Sequence, residues 1–420
     1  MKRWCFLVVF VWICLLQSLT VYSQERCGHR MIEEQASKLI PDYENKMVEQ
    51  ERQIQSVISN PTLQIRNQVY IPVVVHVVYS KPYEKISEAQ VRSQIELLNA
   101  DFSALLIPKG IPDEFADRYE DVGIRFCLAK SDPDGNPTSG ITYHSTSVDN
   151  IGMKVNELGQ KKVHHTNLGG ADAWPTDRYM NIWVCRLDEV LGFATSPGST
   201  FFADEDGVVI NYTYFGNMGT VDPKGKYGQG RTTTHEVGHY FGLMHLWGKN
   251  ANGCGDDLVE DTPAQSLPHY GCPSYPQLSC FTSNMFMNFM DYVDDACMFM
   301  FTPGQGARMR ATLENSRRKL LNNDNTHCDQ FNTPQGPVSE RLKLKATVVK
   351  DELILLQDGG YNEVLNLRIF DSAGKELSII TKISQQEISV HLDPRMLPGM
   401  YFLDVRTKKD HAAFKFLITN

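Results

Sequence analysis

The sequence predicts an α+β protein. A mixed twisted sheet with one central helix and a loop-rich lower part comes first, and a small all-β sandwich follows. Three observations indicate this: strand and helix patterns alternate up to about residue 242, a cysteine-rich and loop-rich stretch covers 251–300, and the final segment shows period-2 strands separated by turns. With 420 residues, of which 42% are hydrophobic, the chain can form more than one core.

The chain begins with the features of a secretory signal, predicted to span residues 1–23. Lys2 and Arg3 precede an apolar run (4–16), and small residues suit cleavage after Ser23. A membrane anchor is the weaker alternative because the run is short for a bilayer, and no later stretch is apolar enough to span one. The formal charge of −9 becomes −11 without Lys2 and Arg3, which disfavours nucleic acid as a partner.

The first elements follow in order along the chain. Residues 24–66 are polar and helix-prone, which indicates a pro-segment. The run YIPVVVHVVY (70–79) predicts a fully buried strand, with His76 as a core histidine. Ser87 and Gln90 form a capping-box pattern at the start of an amphipathic helix. Further strands are predicted at 124–129, 180–187 and 207–212, and a closing helix from about Gln305 to Leu321.

Domain boundaries follow from these patterns. The stretch CDQFNTPQGPVSE is polar and contains two prolines and a glycine, as linkers do. We therefore predict a signal at 1–23, a pro-segment at 24–52 (ending as late as 66), a main domain at 53–328, a linker at 329–340 and a β-sandwich at 341–420.

The most informative stretch is HEVGHYFGLMH, at 235–245. His235 and His239 are four residues apart, so both imidazoles lie on one helix face at a spacing that suits zinc. Gly242 predicts an abrupt helix end, which would let the chain turn and bring His245 back as a third ligand. Three neutral histidines leave one zinc position open, as in catalytic sites, and Glu236 is placed to act as a general base.

This motif, together with the later NFMDY (288–292), resembles the metzincin metallopeptidases. The resemblance implies that Met290 forms the methionine turn beneath the metal and that Tyr292 stabilises the oxyanion; a surface tyrosine is the alternative. Within the metzincins the chain is similar to the pappalysin family over roughly 67–322. The segments that carry this similarity are IPVVVHVVY, SQIELLNADFS, IRFCLA, MNIWVCRL, DGVVINY, HEVGHYFGLMHLWG, EDTP, MNFMDYVDDAC and MFTPGQGARMR.

The resemblance implies a secreted zinc endopeptidase that acts on protein or peptide substrates through a zinc-activated water and Glu236. A secreted binding protein or adhesin with a non-catalytic metal site is the alternative from another class. The intact Glu236 argues against it, because a structural zinc needs no base.

The family also implies two interlocked disulfides. By order these would be Cys254–Cys280 and Cys272–Cys297. Cys127 and Cys185 lie within strand patterns, where buried free thiols and a bridge both remain open, and Cys328 is unassigned.

Calcium and a basic-residue pocket are further implications of the resemblance. Asp257, the carbonyl of Val259 and Thr262 are candidate oxygen ligands for a structural calcium, although an acidic solvated loop is the alternative. A preference for arginine just after the cleaved bond would require a buried carboxylate. Asp294 and Asp295 are the candidates, with Asp295 slightly preferred.

Cys27, in the stretch RCGH, suggests a latency switch. Its thiolate could occupy the open zinc position until the pro-segment is removed, and Gly28 would allow a close approach. A disulfide to Cys328 or an exposed thiol is the alternative. The bond before Arg52 is a hypothetical self-activation site.

The last 80 residues resemble, more loosely, the sorting domains of bacterial type IX secretion, through LNLRIFDSAGKEL, LPGMYFLDV and FKFLITN. This implies secretion machinery as a partner and an extracellular or cell-surface location. A β-sandwich binding module for glycans or cell surfaces is the alternative.

Overall fold

The computed structural model describes residues 24–60, 68–104, 111–199, 201–249, 253–322, 342–357, 366–377, 380–383, 387–406 and 411–419. The predicted signal and linker lie outside these ranges. The helices are α1 (His29–Leu39), α2 (Tyr43–Ile58), α3 (Glu88–Phe102), α4 (Arg231–Tyr240) and α5 (Pro303–Glu314). The strands up to residue 283 are β1 (Val69–Tyr79), β2 (Ile124–Leu128), β3 (Ile141–Ser145), β4 (Met180–Cys185), β5 (Gly192–Ala194), β6 (Val208–Asn211), β7 (Leu278–Ser279) and β8 (Thr282–Ser283).

The main sheet has the order β2-β1-β4-β6-β5, and β3 also pairs with β1. β1 pairs in parallel with β2, β3 and β4, and its residues 71–78 are all buried, which confirms the predicted buried strand except at its half-buried ends, Tyr70 and Tyr79. His76 is a satisfied core histidine, as expected, with Nδ1 2.8 Å from Thr142 Oγ1 and Nε2 3.0 Å from Asn181 Oδ1.

β5 is the antiparallel edge of this sheet and lies against α4. Among the described strands it pairs with β6, and a Cβ on Gly192 would stand 3.1 Å from Glu236 Cγ. The edge strand and the central helix thus border the same cleft.

The capping box predicted at α3 is only half present. Ser87 Oγ accepts the backbone N–H of Gln90 at 3.2 Å, but the Gln90 side chain donates instead to the carbonyls of Tyr212 and Phe215. Gln90 is fully buried beneath the loop that carries these two carbonyls. Leaving the carbonyls without a partner there would destabilise the folded state. The reciprocal half of the prediction was therefore wrong.

The closing helix, α5, is shorter than predicted. It begins at a capping box in which Thr302 and Gln305 bond each other's backbone N–H groups. It ends at Glu314 because Asn315 leaves the helical region (φ −106°, ψ −92°), and the chain continues to Asn322 as a separate 3₁₀ turn.

The C-terminal part is a β-sandwich, as predicted. Its strands are β9 (Leu342–Leu344), β10 (Val348–Val349), β11 (Glu352–Gln357), β12 (Asn366–Asp371), β13 (Glu376–Leu377), β14 (Ile380–Ile383), β15 (Glu387–His391), β16 (Gly399–Arg406) and β17 (His411–Ile418). They form two sheets, β10-β17-β16-β12-β13 and β14-β15-β11-β9. Leu353 and Leu355 from one sheet and Ile369, Leu403 and Val405 from the other share one buried core.

Candidate active site

A sharp turn after α4 brings three histidines together. Gly242 has a φ of +85°, the left-handed conformation that ends a helix, so the predicted stop is confirmed. A Cβ at Gly242 would also lie 2.8 Å from Thr312 Oγ1. The turn places His245 Nε2 3.2 Å from His235 Nε2 and 3.1 Å from His239 Nε2, and the latter two are 3.1 Å apart.

Hydrogen bonds fix the tautomers of the two helical histidines, His235 and His239. His235 Nδ1 lies 2.7 Å from the Phe289 carbonyl and His239 Nδ1 lies 2.8 Å from that of Leu243. Because carbonyls only accept, each Nδ1 carries the proton and each Nε2 turns a lone pair inward. Burial, and then neighbouring histidines, hold the pKa of all three rings well below the ordinary value.

This donor set fits zinc. The Nε2 lone pairs of His235 and His239 converge with His245 Nε2, and such nitrogens repel one another unless a cation lies between them. A tetrahedral zinc with Zn–N bonds of about 2.0–2.1 Å separates its nitrogen ligands by about 3.4 Å, and the observed separations of 3.1–3.2 Å are close to that value.

The methionine predicted to lie beneath the metal packs against α4. A Cβ added to Gly238, between the two helical histidines, would stand 2.6 Å from Met290 Sδ, so a larger residue there would force Met290 to move. Asn288 Oδ1 accepts the Met290 N–H at 2.9 Å and fixes the turn that also supplies the Phe289 carbonyl.

Glu236 and Tyr292 flank the histidine set. Glu236 is fully buried, and burial raises its pKa to about 8. Among the described residues, neither of its oxygens has a hydrogen-bond partner at ordinary distance, and the Cys27 thiol is a neighbouring polar group. Tyr292 Oη lies 3.1 Å from His245 Nε2. Both side chains are placed to meet a group bound at the histidines.

Cys27 lies at the open side of the three imidazoles. Its sulfur and the three histidine ligand atoms all lie within 4.8 Å of one another, and only 4% of Cys27 is exposed. Gly28 runs close to β5, with its N–H 2.8 Å from the Gly192 carbonyl, and its Cβ position is 3.1 Å from Phe193 Cβ. The stretch that contains Cys27 and Gly28 therefore enters the cleft beside the three histidines.

The preceding residue fills a buried acidic pocket. Arg26 Nη2 donates to Asp295 Oδ1 at 2.8 Å and Nη1 to the Val293 carbonyl at 2.7 Å, with the guanidinium 4.6 Å from the Tyr227 ring centre. Of the two candidate carboxylates, it is Asp295 that faces this pocket. Asp294 lies beside it, with its N–H bonded to the Gly271 carbonyl.

Several contacts of residues 24–52, the predicted pro-segment, were missed from the sequence. His29 stacks on His239, with ring centres 4.0 Å apart. Farther along, both nitrogens of the Arg308 fork donate to the Glu51 carboxylate, at 2.8 and 2.5 Å. The one local sign of a pocket contact in the sequence was the position of Arg26, directly before Cys27.

The loop-rich region is cross-linked as predicted. Cys254–Cys280 and Cys272–Cys297 both form. Of the two strand cysteines, Cys127 is disulfide-bonded and Cys185 is a buried free thiol. The bridge alternative is therefore correct for Cys127, and the free-thiol alternative is correct for Cys185.

The three candidate calcium ligands meet in this region. Thr262 Oγ1 lies 2.7 Å from both Asp257 Oδ1 and the Val259 carbonyl. Asp257 Oδ2 is buried without a partner among the described residues, and burial raises the pKa of Asp257 to about 7. An unpaired buried carboxylate beside two neutral oxygens fits a hard cation.

Comparisons with known proteins bear on this site. Residues 166–314 match the peptidase M43 family, described as pregnancy-associated plasma protein-A. An extracellular metalloprotease of Arthroderma benhamiae is 30% identical over 316 residues, 73% of this chain and 89% of that protein. Within the described ranges, no helix is both long and apolar enough to cross a membrane.

Solved structures are also similar. A promirolysin mutant from Tannerella forsythia is 39% identical, with a TM-score of 0.65, and the match covers 73% of this chain and all of that one. Mature Tannerella forsythia mirolysin, solved with a cleaved peptide, is 42% identical, with a TM-score of 0.58 over 63% of this chain and 100% of its own.

Proposed function

This chain belongs to the pappalysin family of metzincin peptidases and is a secreted zinc metalloendopeptidase, and from that membership we propose that it cuts protein chains before arginine and is kept latent by its own pro-segment. The observation that carries the proposal is the buried Arg26–Asp295 pair beside the three histidines.

The specificity argument rests on what Arg26 occupies. Its side chain is 1% exposed and that of Asp295 is fully buried, so the pair is shielded from solvent. Asp295 Oδ2 accepts the N–H groups of Gln229 and Arg231 at 3.0 and 3.1 Å, which fixes the carboxylate in place. Once the pro-segment leaves, a substrate arginine just after the cleaved bond would take the position of Arg26.

The proposed chemistry assigns one role to each site residue. His235, His239 and His245 would hold a zinc ion, which would supply Lewis acidity for the scissile carbonyl and for water. Glu236 accepts a proton as the water oxygen attacks the carbonyl carbon, and returns it to the amine nitrogen as the C–N bond breaks. Tyr292 donates its hydroxyl hydrogen to the developing oxyanion.

Latency follows from the direction of the pro-segment. Its chain runs from the arginine pocket through Cys27 at the metal position to His29 beyond it. A substrate with its arginine after the cleaved bond runs the opposite way, so the pro-segment fills the cleft in an orientation that cannot be cut. The Cys27 sulfur occupies the place needed by the attacking water.

Removal of the pro-segment is proposed to begin before Arg52. The Arg52 side chain is 70% exposed but lies inside α2, and the preceding Glu51 is held by Arg308. An extended substrate conformation therefore requires local unwinding of α2 or cutting by a second molecule. N-terminal analysis of the mature form tests the position of the cut.

We also propose that Asp257, Val259 and Thr262 bind a structural calcium, and that the C-terminal sandwich is a sorting domain for type IX secretion. In a host with that machinery, a chain truncated after residue 340 is expected to stay inside the cell envelope. Export at full yield, with loss only of binding to cells or glycans, would favour the surface-binding alternative.

The direct test of the proposed function compares activated protein with its Glu236→Gln variant on two peptides that differ only in arginine or glutamine after the bond. We expect hydrolysis of the arginine peptide by the parent only, with equal zinc content in both proteins. Glu157→Gln, at an exposed position, serves as the matched control. Equal cutting of both peptides would refute the arginine preference, and activity in Glu236→Gln would refute the mechanism.

A further inference from the structure

The pro-segment also covers a second charged region of the cleft. The three histidines lie between this region and the arginine pocket. We propose that Lys249 and Arg308 form a cationic subsite that selects acidic residues a few positions before the cleaved bond. This inference rests on the proposed function, because it concerns the substrates of the same cleft.

Charge complementarity across one cavity is the first support. A cavity of about 260 Å³ lies between the pro-segment and the main domain. The pro-segment lines it with Glu33, Glu44 and Glu51, whereas the described lining of the main domain has Lys249 and Arg308 as its charged residues. Glu33 approaches Lys249 at 3.8 Å, and Glu51 makes the bidentate contact with Arg308.

Arg308 needs a new partner when the pro-segment leaves. Its side chain is only 5% exposed, and its Nε donates to the carbonyl of Gly242, in the turn between the second and third histidines, at 2.8 Å. This bond holds the Arg308 guanidinium beside the cleft. Once Glu51 has left, the two terminal nitrogens that now bind it are free to face the cleft. Asp257 is within electrostatic reach of Arg308 but forms no hydrogen bond with it, because its Oδ1 accepts from Thr262 and Val259 and its unpaired Oδ2 is assigned to the proposed calcium.

The path of the pro-segment locates this region relative to the cleaved bond. With Arg26 in the pocket for the residue after the bond, the opposite side of the histidines receives the residues before it. Gly28 caps α1 with φ −89° and ψ 8°, so the chain from Cys27 to Glu33 makes one step of at most about 3.3 Å and five helical steps, about 11 Å in all. An extended substrate covers that distance in about three to four residues, so the subsite meets the third or fourth residue before the bond.

The test uses mature enzyme with the rest of the chain intact. Synthetic peptides carry one arginine after the bond and either glutamate or glutamine at each of the second to fifth positions before it. We expect kcat/KM for glutamate to exceed that for glutamine about tenfold at the third or fourth position, the size typical of a charge-assisted contact. The ratio should fall below about twofold in Lys249→Gln combined with Arg308→Gln.

Controls separate the subsite from folding and from the proposed function. Lys249 is 53% exposed, so Lys249→Gln alone should fold and lower the ratio even if the Arg308 variant does not fold. Lys154→Gln, at an exposed position outside the cavity, should keep the full ratio. A ratio near one at every position, with arginine still required, overturns the subsite and leaves the proposed function standing. No cutting of any peptide overturns both.

Discussion

The arginine pocket makes the sharpest prediction, through the change Asp295→Asn. Asp295 is 1% exposed, one oxygen binds the Arg26 guanidinium and the other accepts two backbone N–H groups. Asparagine keeps the shape but loses the charge and one acceptor. Removing one partner of a buried ion pair costs about 3–5 kcal/mol, which corresponds to a loss of at least about 100-fold in kcat/KM for arginine peptides.

The assay compares kcat/KM for peptides with arginine and with glutamine after the bond, in activated parent and variant. We expect the arginine advantage to collapse in Asp295→Asn while the glutamine peptide changes by less than about threefold. Asp294→Asn is the matched control, because Arg26 is held by Asp295 and not by its neighbour. An unchanged arginine advantage in Asp295→Asn, or its loss in Asp294→Asn instead, would refute the reasoning.

Four further predictions concern latency, metal and pH. Cys27→Ala should let the full-length chain cut a fluorogenic peptide at least about tenfold faster than the latent parent; equal latency would contradict the switch. Glu51→Gln should weaken the docked pro-segment by about 2 kcal/mol, or roughly 30-fold in equilibrium, and so speed activation on a gel time course. Glu49→Gln, whose partners Arg52 and Gln53 lie within the same helix, should not. Asp257→Asn should abolish the loss of melting temperature that a calcium chelator causes in the parent. Burial lowers the pKa of His76 to about 4 from 6.5; the folded state then binds fewer protons than the unfolded one, so this group's stabilisation is lost as pH falls from 6.5 to 4, by about 3 kcal/mol. Urea unfolding of the parent should show this loss, and His76→Asn should lack it.

Local chemistry made much of the site predictable. The two helical histidines follow from the period of the helix, and Gly242 from its freedom to adopt positive φ, so the convergence of His245 could be anticipated. The disulfides followed from family resemblance, because spacing alone leaves three pairings open for four cysteines.

Contacts between distant parts of the chain were not predictable. Arg26 meets Asp295 across 269 positions and Glu51 meets Arg308 across 257, and no local pattern in the sequence joins the two members of either pair. The same reason explains Gln90, whose capping role gave way to carbonyls more than a hundred residues away. Such contacts depend on how distant segments of the chain pack together, so they can be seen only in the three-dimensional structure.

The central claim is tested most directly by a mass-spectrometric map of bonds cut in a complex peptide mixture. Activated protein is compared with Glu236→Ala, and zinc content is measured in both. The account predicts cuts that occur only with the parent and cluster before arginine, with zinc in both samples. Zinc in both samples with no cuts from either, or cuts without preference for arginine, would contradict it.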